Sequence, residues 1–228
     1  MGQENGPAPD ARITLTLWFF LRSLFKIGRR ARKRRALHAF EQKLIDPKVP
    51  RFALDCGANV GVISDRMLNA GFEVHAFEPD PVARSELITR LGTHSMITIL
   101  PMAVSDRAGV AKLRRHREFK EDDLIRTESS SIVDRPDVSD ENTIDVEVVD
   151  LCDYIEKLSR PVGLLKMDIE GAEVALIHRI LDEGLFRKIS YISVETHERF
   201  SLRMAWQTAQ MRARAIQAGL ANMNFDHP

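Results

Sequence analysis

The residues able to do chemistry gather at a few places in the chain. The first is Asp55-Cys56-Gly57-Ala58-Asn59-Val60-Gly61, at the close of a short apolar run. Glycines at 57 and 61 let the backbone turn sharply and come close to a ligand. A helix starting there offers free amide donors and partial positive charge. Asp55 is expected below such a ligand, where it attracts a cation. The second place is Glu78, followed by Pro79-Asp80-Pro81. An acid ending a strand can accept hydrogen bonds from both ribose hydroxyls of a nucleoside. The third is Lys166-Met167-Asp168-Ile169-Glu170-Gly171-Ala172-Glu173, where an apolar run gives way to a helical pattern, and Glu195 and His197 close a further apolar run. Asp168, Glu195 or His197 could take a proton from a hydroxyl, with Lys166 in the same charged cluster. Asp168 and Glu195 could instead hold Mg²⁺ through oxygen, although nothing further in the sequence supports a metal. Each feature also has a plainer reading. These are a tight strand–helix turn, a solvated glutamate, acids complementing a helix dipole, and a packed histidine.

The elements that must position these residues follow from periodicity. Strands are expected at residues 51–56, 73–77, 96–100, 162–167 and 189–194, with a short last one at 223–225. Helices are expected at 60–70, from Asp80-Pro81 to about Gly92, at 150–158, from Val174 to Gly184, and at 203–218. Asp80 followed by Pro81 is a helix-start signal. Strands alternating with helices imply crossover connections and a mostly parallel, doubly wound α/β sheet. Ligands then sit at the carboxyl ends of the strands. The polar stretch 114–143, flanked by extended pieces at 110–113 and 144–148, is too long for a plain connector; it could cover a substrate pocket, and its charges equally suit a solvated surface excursion.

The loop lacks the G-x-G-x-x-G spacing of nicotinamide enzymes, because Asp55 and Asn59 break it. Its spacing resembles the glycine-rich loop of class I methyltransferases. Taken with His75-Ala76-Phe77-Glu78-Pro79, Ala103-Val104-Ser105-Asp106, Ser129-Ser130-Ser131, Val149-Asp150, Lys166–Glu173 and Val194-Glu195-Thr196-His197, the chain resembles the FkbM-type methyltransferases over residues 51–197. That resemblance implies a Rossmann-like class I fold, S-adenosylmethionine as cofactor, and O-methylation of a sugar, polyketide or lipid-like small molecule. It assigns the methionine portion to the loop of Asp55, Gly57, Ala58, Asn59 and Gly61, the ribose to Glu78, and the adenine border to Ala103 and Val104. The Leu151-Cys152-Asp153 that follows Asp150 is a slight variant, and the strand pair after the last helix is expected to be short. Two other classes stand beside this reading: a catalytically silent nucleoside-binding protein on the same fold, and a nicotinamide-type nucleotide enzyme.

Composition bounds the rest. The 228 residues suffice for one α/β domain with an extension, and 44% hydrophobic residues can build a core. Thirty-three basic and thirty-three acidic residues cancel, so no global field favours nucleic acid. Two cysteines, and no secretory signal, suggest a reduced cytoplasmic setting. Residues 1–50 read as an N-terminal helical extension, set off by Asp46-Pro47 and Pro50 from a methyltransferase domain at 51–228. Within it, Trp18, Phe19, Phe20, Leu24 and Phe25 precede the basic block Arg29, Arg30, Arg32, Lys33, Arg34 and Arg35. Residues 13–35 therefore suit peripheral contact with an anionic membrane at its inner face. A helix docked on the domain or on a second copy is the alternative, so a homo-oligomer is open. The extension is expected to govern location, not chemistry.

Overall fold

The computed structural model describes residues 9–116, 130–133 and 138–226. Its centre is a parallel sheet of six strands in the order β3-β2-β1-β7-β8-β9. These are β1 (Phe52–Cys56), β2 (Glu73–Phe77), β3 (Ile97–Leu100), β7 (Val162–Met167), β8 (Ile189–Val194) and β9 (Met223–Asn224). β1 and β7 are buried along their whole length, as strands covered on both faces must be. Cys56 pairs in register with both Phe77 and Met167, and Met167 with Val194. The carboxyl ends of four strands thus stop at one level. The chain winds from β1 outward to β2 and β3, then returns to the other side of β1 with β7. That reversal leaves a crevice between β1 and β7, where doubly wound sheets bind ligands.

Helices α3 (Val62–Asn69), α4 (Pro81–Leu91), α5 (Leu151–Lys157), α6 (Glu173–Asp182) and α7 (Leu202–Gln217) occupy the expected stretches. α4 starts as the sequence signals: the Asp80 side chain accepts from the Val82 amide at 2.9 Å, with Pro81 in the first turn. α3 starts at Val62 and not at Val60, because Gly61 takes a left-handed conformation at φ 85° and resets the chain before the helix.

One correction concerns the polar stretch. β5 (Gly109–His116) and β6 (Val138–Asp150) extend well into it and form an antiparallel ribbon, with β4 (Met102–Ser105) on the other side of β6. The ribbon buries only alternate residues, among them Leu113, Val146 and Val148 against Ala103. With the other face solvated, its composition reads as irregular. Within the stretch, residues 117–129 and 134–137 lie outside the described residues.

The N-terminal helices pack on the rest of the chain. In α2 (Arg29–Ile45), Ala36, Phe40 and Leu44 recur at helical spacing and are buried. Phe40 and Leu44 join the cluster that contains Ala53 of β1, Met67 of α3 and Tyr191 of β8. In α1 (Pro9–Leu24), Phe19 packs on Ala209 and Ala213 of α7. The Pro50 carbonyl comes so close to β7 that a Cβ on Gly163 would lie 1.8 Å from it. The proline-marked break at 46–50 is therefore a bend in the chain and not a gap in the packing. Ile13, Leu17, Trp18, Leu21 and Phe25 remain exposed beside this contact. Among the described residues, no helix is long and apolar enough to cross a membrane.

If α2 belongs to the core, Phe40→Ala should cost about 3–5 kcal/mol of stability by removing a fully buried ring. Trp18→Ala, at an exposed site, should stay within about 1 kcal/mol. Urea denaturation of the two variants tests this; equal, small losses would detach α2 from the core.

Candidate functional site

The turn after β1 is shaped by its glycines. Gly57 sits at φ 77°, and a Cβ there would lie 1.9 Å from the Asp168 carbonyl oxygen, so the turn can pass only as glycine. The Gly57 and Ala58 amides both donate to the Phe77 carbonyl, at 3.1 and 3.0 Å, which pulls the turn across the end of β2. Asn59 also adopts a left-handed conformation and donates its amide to Glu78 Oε2 at 2.7 Å. Glu78 Oε1 accepts from the Asp80 amide at 2.8 Å. One buried carboxylate therefore links the loops after β1 and β2. Burial pushes its carboxyl up to about 7, opposed by the two backbone donors. Each oxygen keeps a lone pair, so the group can still accept from a pair of ligand hydroxyls.

Under the turn lies a buried ion cluster. Lys166 Nζ donates to the Gly57 carbonyl at 2.6 Å and stands 3.3 Å from Asp55 Oδ1 and 3.8 Å from Asp168 Oδ2. Ser64 Oγ donates to the second Asp55 oxygen at 2.7 Å. Burial disfavours the ammonium, yet Asp55 and then Asp168 outweigh it and raise the Lys166 pKa above its usual value. Lys166 is thus a fixed positive charge.

Asp168 follows β7, in the next turn. Burial raises its carboxyl to about 6; Lys166 opposes the rise, and Glu195 and Glu170 add to it. His197 is enclosed behind it. Its Nδ1 is 2.9 Å from Glu173 Oε1, and its Nε2 lies 3.1 Å from Glu170 Oε2 and 3.5 Å from Asp168 Oδ1. Burial works against a charged imidazole, but Glu173 and Glu170 prevail and bring His197 up to about 10. Glu173 also accepts from the Ile169 and Gly171 amides at 3.0 and 2.9 Å. It braces the turn at the start of α6 while orienting the histidine.

These parts surround a cavity of about 490 Å³. Gly57, Ala58, Asn59 and Glu78 wall it on one side, Ala103 and Val104 of β4 on another, and Lys166, Asp168 and Glu195 at the charged end. Asp55, Gly61 and His197 are not in its wall. Asp55 and His197 act through Lys166 and the acids, and Gly61 makes room for Leu87, whose Cδ1 would be 2.5 Å from a Cβ. The ribbon side contributes Ser130 and Ile132. Ser131 Oγ donates to the Glu170 carbonyl at 2.7 Å, and Arg115 pairs with Asp80 through two bonds of 2.9 and 3.1 Å. Ser129 lies outside the described residues.

Sequence reading did not single out Arg199 or Met102, both in the wall, nor the roles of Glu170 and Glu173. The spacing of the two glutamates was visible, but acids at a helix start are explained equally well by the dipole. Among the described residues, the acid–histidine group compact enough for a metal is Asp168, Glu170 and His197, with one ligand atom each within 4.8 Å of the others. Glu195, the partner expected for Asp168, is outside that group.

A model of the methyltransferase FkbM domain matches residues 55–219. The chain belongs to the FkbM methyltransferase family. The match starts at Asp55 and takes in Glu78, Lys166, Asp168, Glu195 and His197. It leaves α1 and α2 before it. No curated protein and no solved structure matches the chain.

Lys166→Met leaves Asp55 buried without its cation and should cost about 3–5 kcal/mol. Adding Asp55→Asn to that variant should recover part of the loss. Thermal unfolding of the single and double variants measures this, and a single variant as stable as the parent would contradict the ion cluster.

Proposed function

We propose that this FkbM-family methyltransferase binds S-adenosylmethionine in the first cavity and methylates a hydroxyl group, with Asp168 as the base. The observation that carries the cofactor reading is the Gly57 turn beside Glu78. The turn tolerates no Cβ, and the carboxylate is held by two amides with acceptor capacity left over. A ribose with two adjacent hydroxyls suits that carboxylate, and the apolar Ala103 and Val104 suit an adenine edge. A catalytically silent binding protein would have no use for acids at the far end of the cavity.

Bound there, S-adenosylmethionine supplies a methyl group on a positively charged sulfur. The protein has to hold the acceptor hydroxyl in line with the C–S bond and remove its proton. Asp168 would take that proton on a carboxylate oxygen, leaving the acceptor oxygen to receive the methyl group that the cofactor would supply. A carboxyl near 6 is ionised at neutral pH yet basic enough to accept a proton as the transition state develops. Fixed by Gly57 and Asp55, Lys166 keeps the neighbouring acid anionic without needing to touch substrate. The methyl acceptor fits the broad class of sugar, polyketide or lipid-like alcohols.

A second reading follows from the compact Asp168, Glu170 and His197 group. A divalent cation there would lower the acceptor hydroxyl's pKa in place of a base. The two readings separate on one set of assays. Asp168→Asn should lower turnover by about 10²–10⁴-fold under either. Under the base reading, chelation by EDTA leaves the parent's rate unchanged. Loss of activity with EDTA, restored by added Mg²⁺ or Mn²⁺, moves the chemistry to a metal.

Glu78 gives a pH prediction. Ribose hydroxyls donate to the anion, so cofactor binding should lower the Glu78 pKa from its free value of about 7. Affinity for S-adenosylmethionine is then full above about pH 7 and declines as pH falls below it. Glu78→Gln should bind more weakly and lose this dependence. Calorimetric titrations on both sides of neutrality check it; a flat profile in the parent protein removes Glu78 from the ribose site.

A further inference from the structure

A second cavity, of about 400 Å³, opens between the N-terminal helices and the loop after β8. It shares Glu195 and Arg199 with the first cavity, so the two adjoin at the acidic end, where Asp168 feels the Glu195 charge. Lys26, from the turn between α1 and α2, and Arg29, Arg32 and Lys33 of α2 supply much of its wall. With Arg199 they set five cations against the carboxylates of Glu195, Glu198 and Asp226.

Those carboxylates are already engaged. Arg32 holds Asp226 at 3.1 Å, and Lys33 holds Glu195 at 3.5 Å. Arg212 approaches both Glu198 and Asp226, at 3.5 and 3.1 Å. Lys26 and Arg29 have no ion-pair partner among the described residues. Like charges crowd the neighbourhood. Burial, then the charges of Arg212 and Arg32, push the Arg22 guanidinium down to about 10. Lys26 also stands at φ 51°, a left-handed conformation that costs energy for a residue with a Cβ. Strain of this kind, held beside a cavity, points to use.

We propose that this second cavity is the acceptor site, and that the acceptor carries a phosphate or similar anionic group seated against Lys26 and Arg29. The acceptor part rests on the methyltransferase reading above; the anion site does not. An anion here also competes for Lys33 and Arg199, which loosens their hold on Glu195 beside the reacting hydroxyl. The helices before the family-matched region then select the substrate.

Inorganic phosphate, titrated calorimetrically into the full chain at low salt, should bind and weaken as salt rises. Lys26→Gly combined with Arg29→Ser removes both unpaired cations, and the glycine relieves the left-handed backbone, so the fold should persist. Phosphate affinity should fall roughly tenfold in that double variant. Arg30→Ser with Arg34→Ser, exposed on the same helix and outside the cavity, should leave it nearly unchanged. Phosphatidylcholine vesicles with and without phosphatidic acid separate the two sources of phosphate. If Lys26 and Arg29 matter for vesicle binding and not for free phosphate, the anion is a lipid headgroup. No binding of either probe by the parent protein, or a double variant that binds both probes as tightly as the parent, overturns the proposal. S-adenosylmethionine affinity in the same samples should be unchanged by the double variant. Its absence in the parent would sink the methyltransferase reading and leave the anion site standing.

Discussion

Lys166 Nζ lies at the sheet's reversal point, buried between Asp55, Asp168 and the Gly57 carbonyl. Burying such charges costs several kcal/mol per ion, so the cluster is poor value as a source of stability alone. What it fixes is geometry. β1 and β7 are neighbours, and both loops that leave them are bound to this one ammonium. With its carbonyl turned down to Lys166, the Gly57 turn crosses the end of β2 and presses against the Asp168 carbonyl. The cavity floor and its acidic end are thus parts of one rigid unit, and a reacting group held on one is placed relative to the other.

A second set of ties builds outward from that unit. Glu78 binds the amides of Asn59 and Asp80, and Asp80 caps α4 while receiving Arg115 from the ribbon. On the opposite side, Glu173 braces the turn after Asp168 and holds His197, and Ser131 reaches the Glu170 carbonyl. The loops after β1, β2 and β7 and the ribbon side of the first cavity are thus tied together by carboxylates and carbonyls. The second cavity is built otherwise. Its wall sets paired carboxylates beside five cations, of which Lys26 and Arg29 have no ion-pair partner among the described residues, and this suits a partner that arrives with its own negative charge.

The sheet was legible because its central strands β1, β7 and β8 are buried almost throughout and read as largely apolar runs, as in Leu164-Leu165 and Ile192. Gly57, Glu78 and Asp168 were legible because each follows such a run and differs from it sharply in type. The ribbon was obscured because only Leu113, Val146, Val148 and similar alternate residues face inward. The packing of α2 was not legible because seven of its residues are Arg or Lys, and that charge hides Ala36, Phe40 and Leu44. No spacing rule links Lys26 or Arg29 to Glu195, more than a hundred residues away in the chain. Contacts of that range are set by packing α1 on α7 and α2 on the sheet, which periodicity of single segments cannot specify.

The central claim is that the Gly57 turn and Glu78 hold a nucleoside, with the acids beyond it at the reacting methyl. A crystal structure of the full chain with S-adenosylhomocysteine tests it most directly. The account predicts ribose hydroxyls within hydrogen-bond distance of Glu78, the adenine against Ala103 and Val104, and the sulfur turned toward Asp168 and Glu195. A ligand seated elsewhere, or a cavity still empty at saturating concentration, would contradict it.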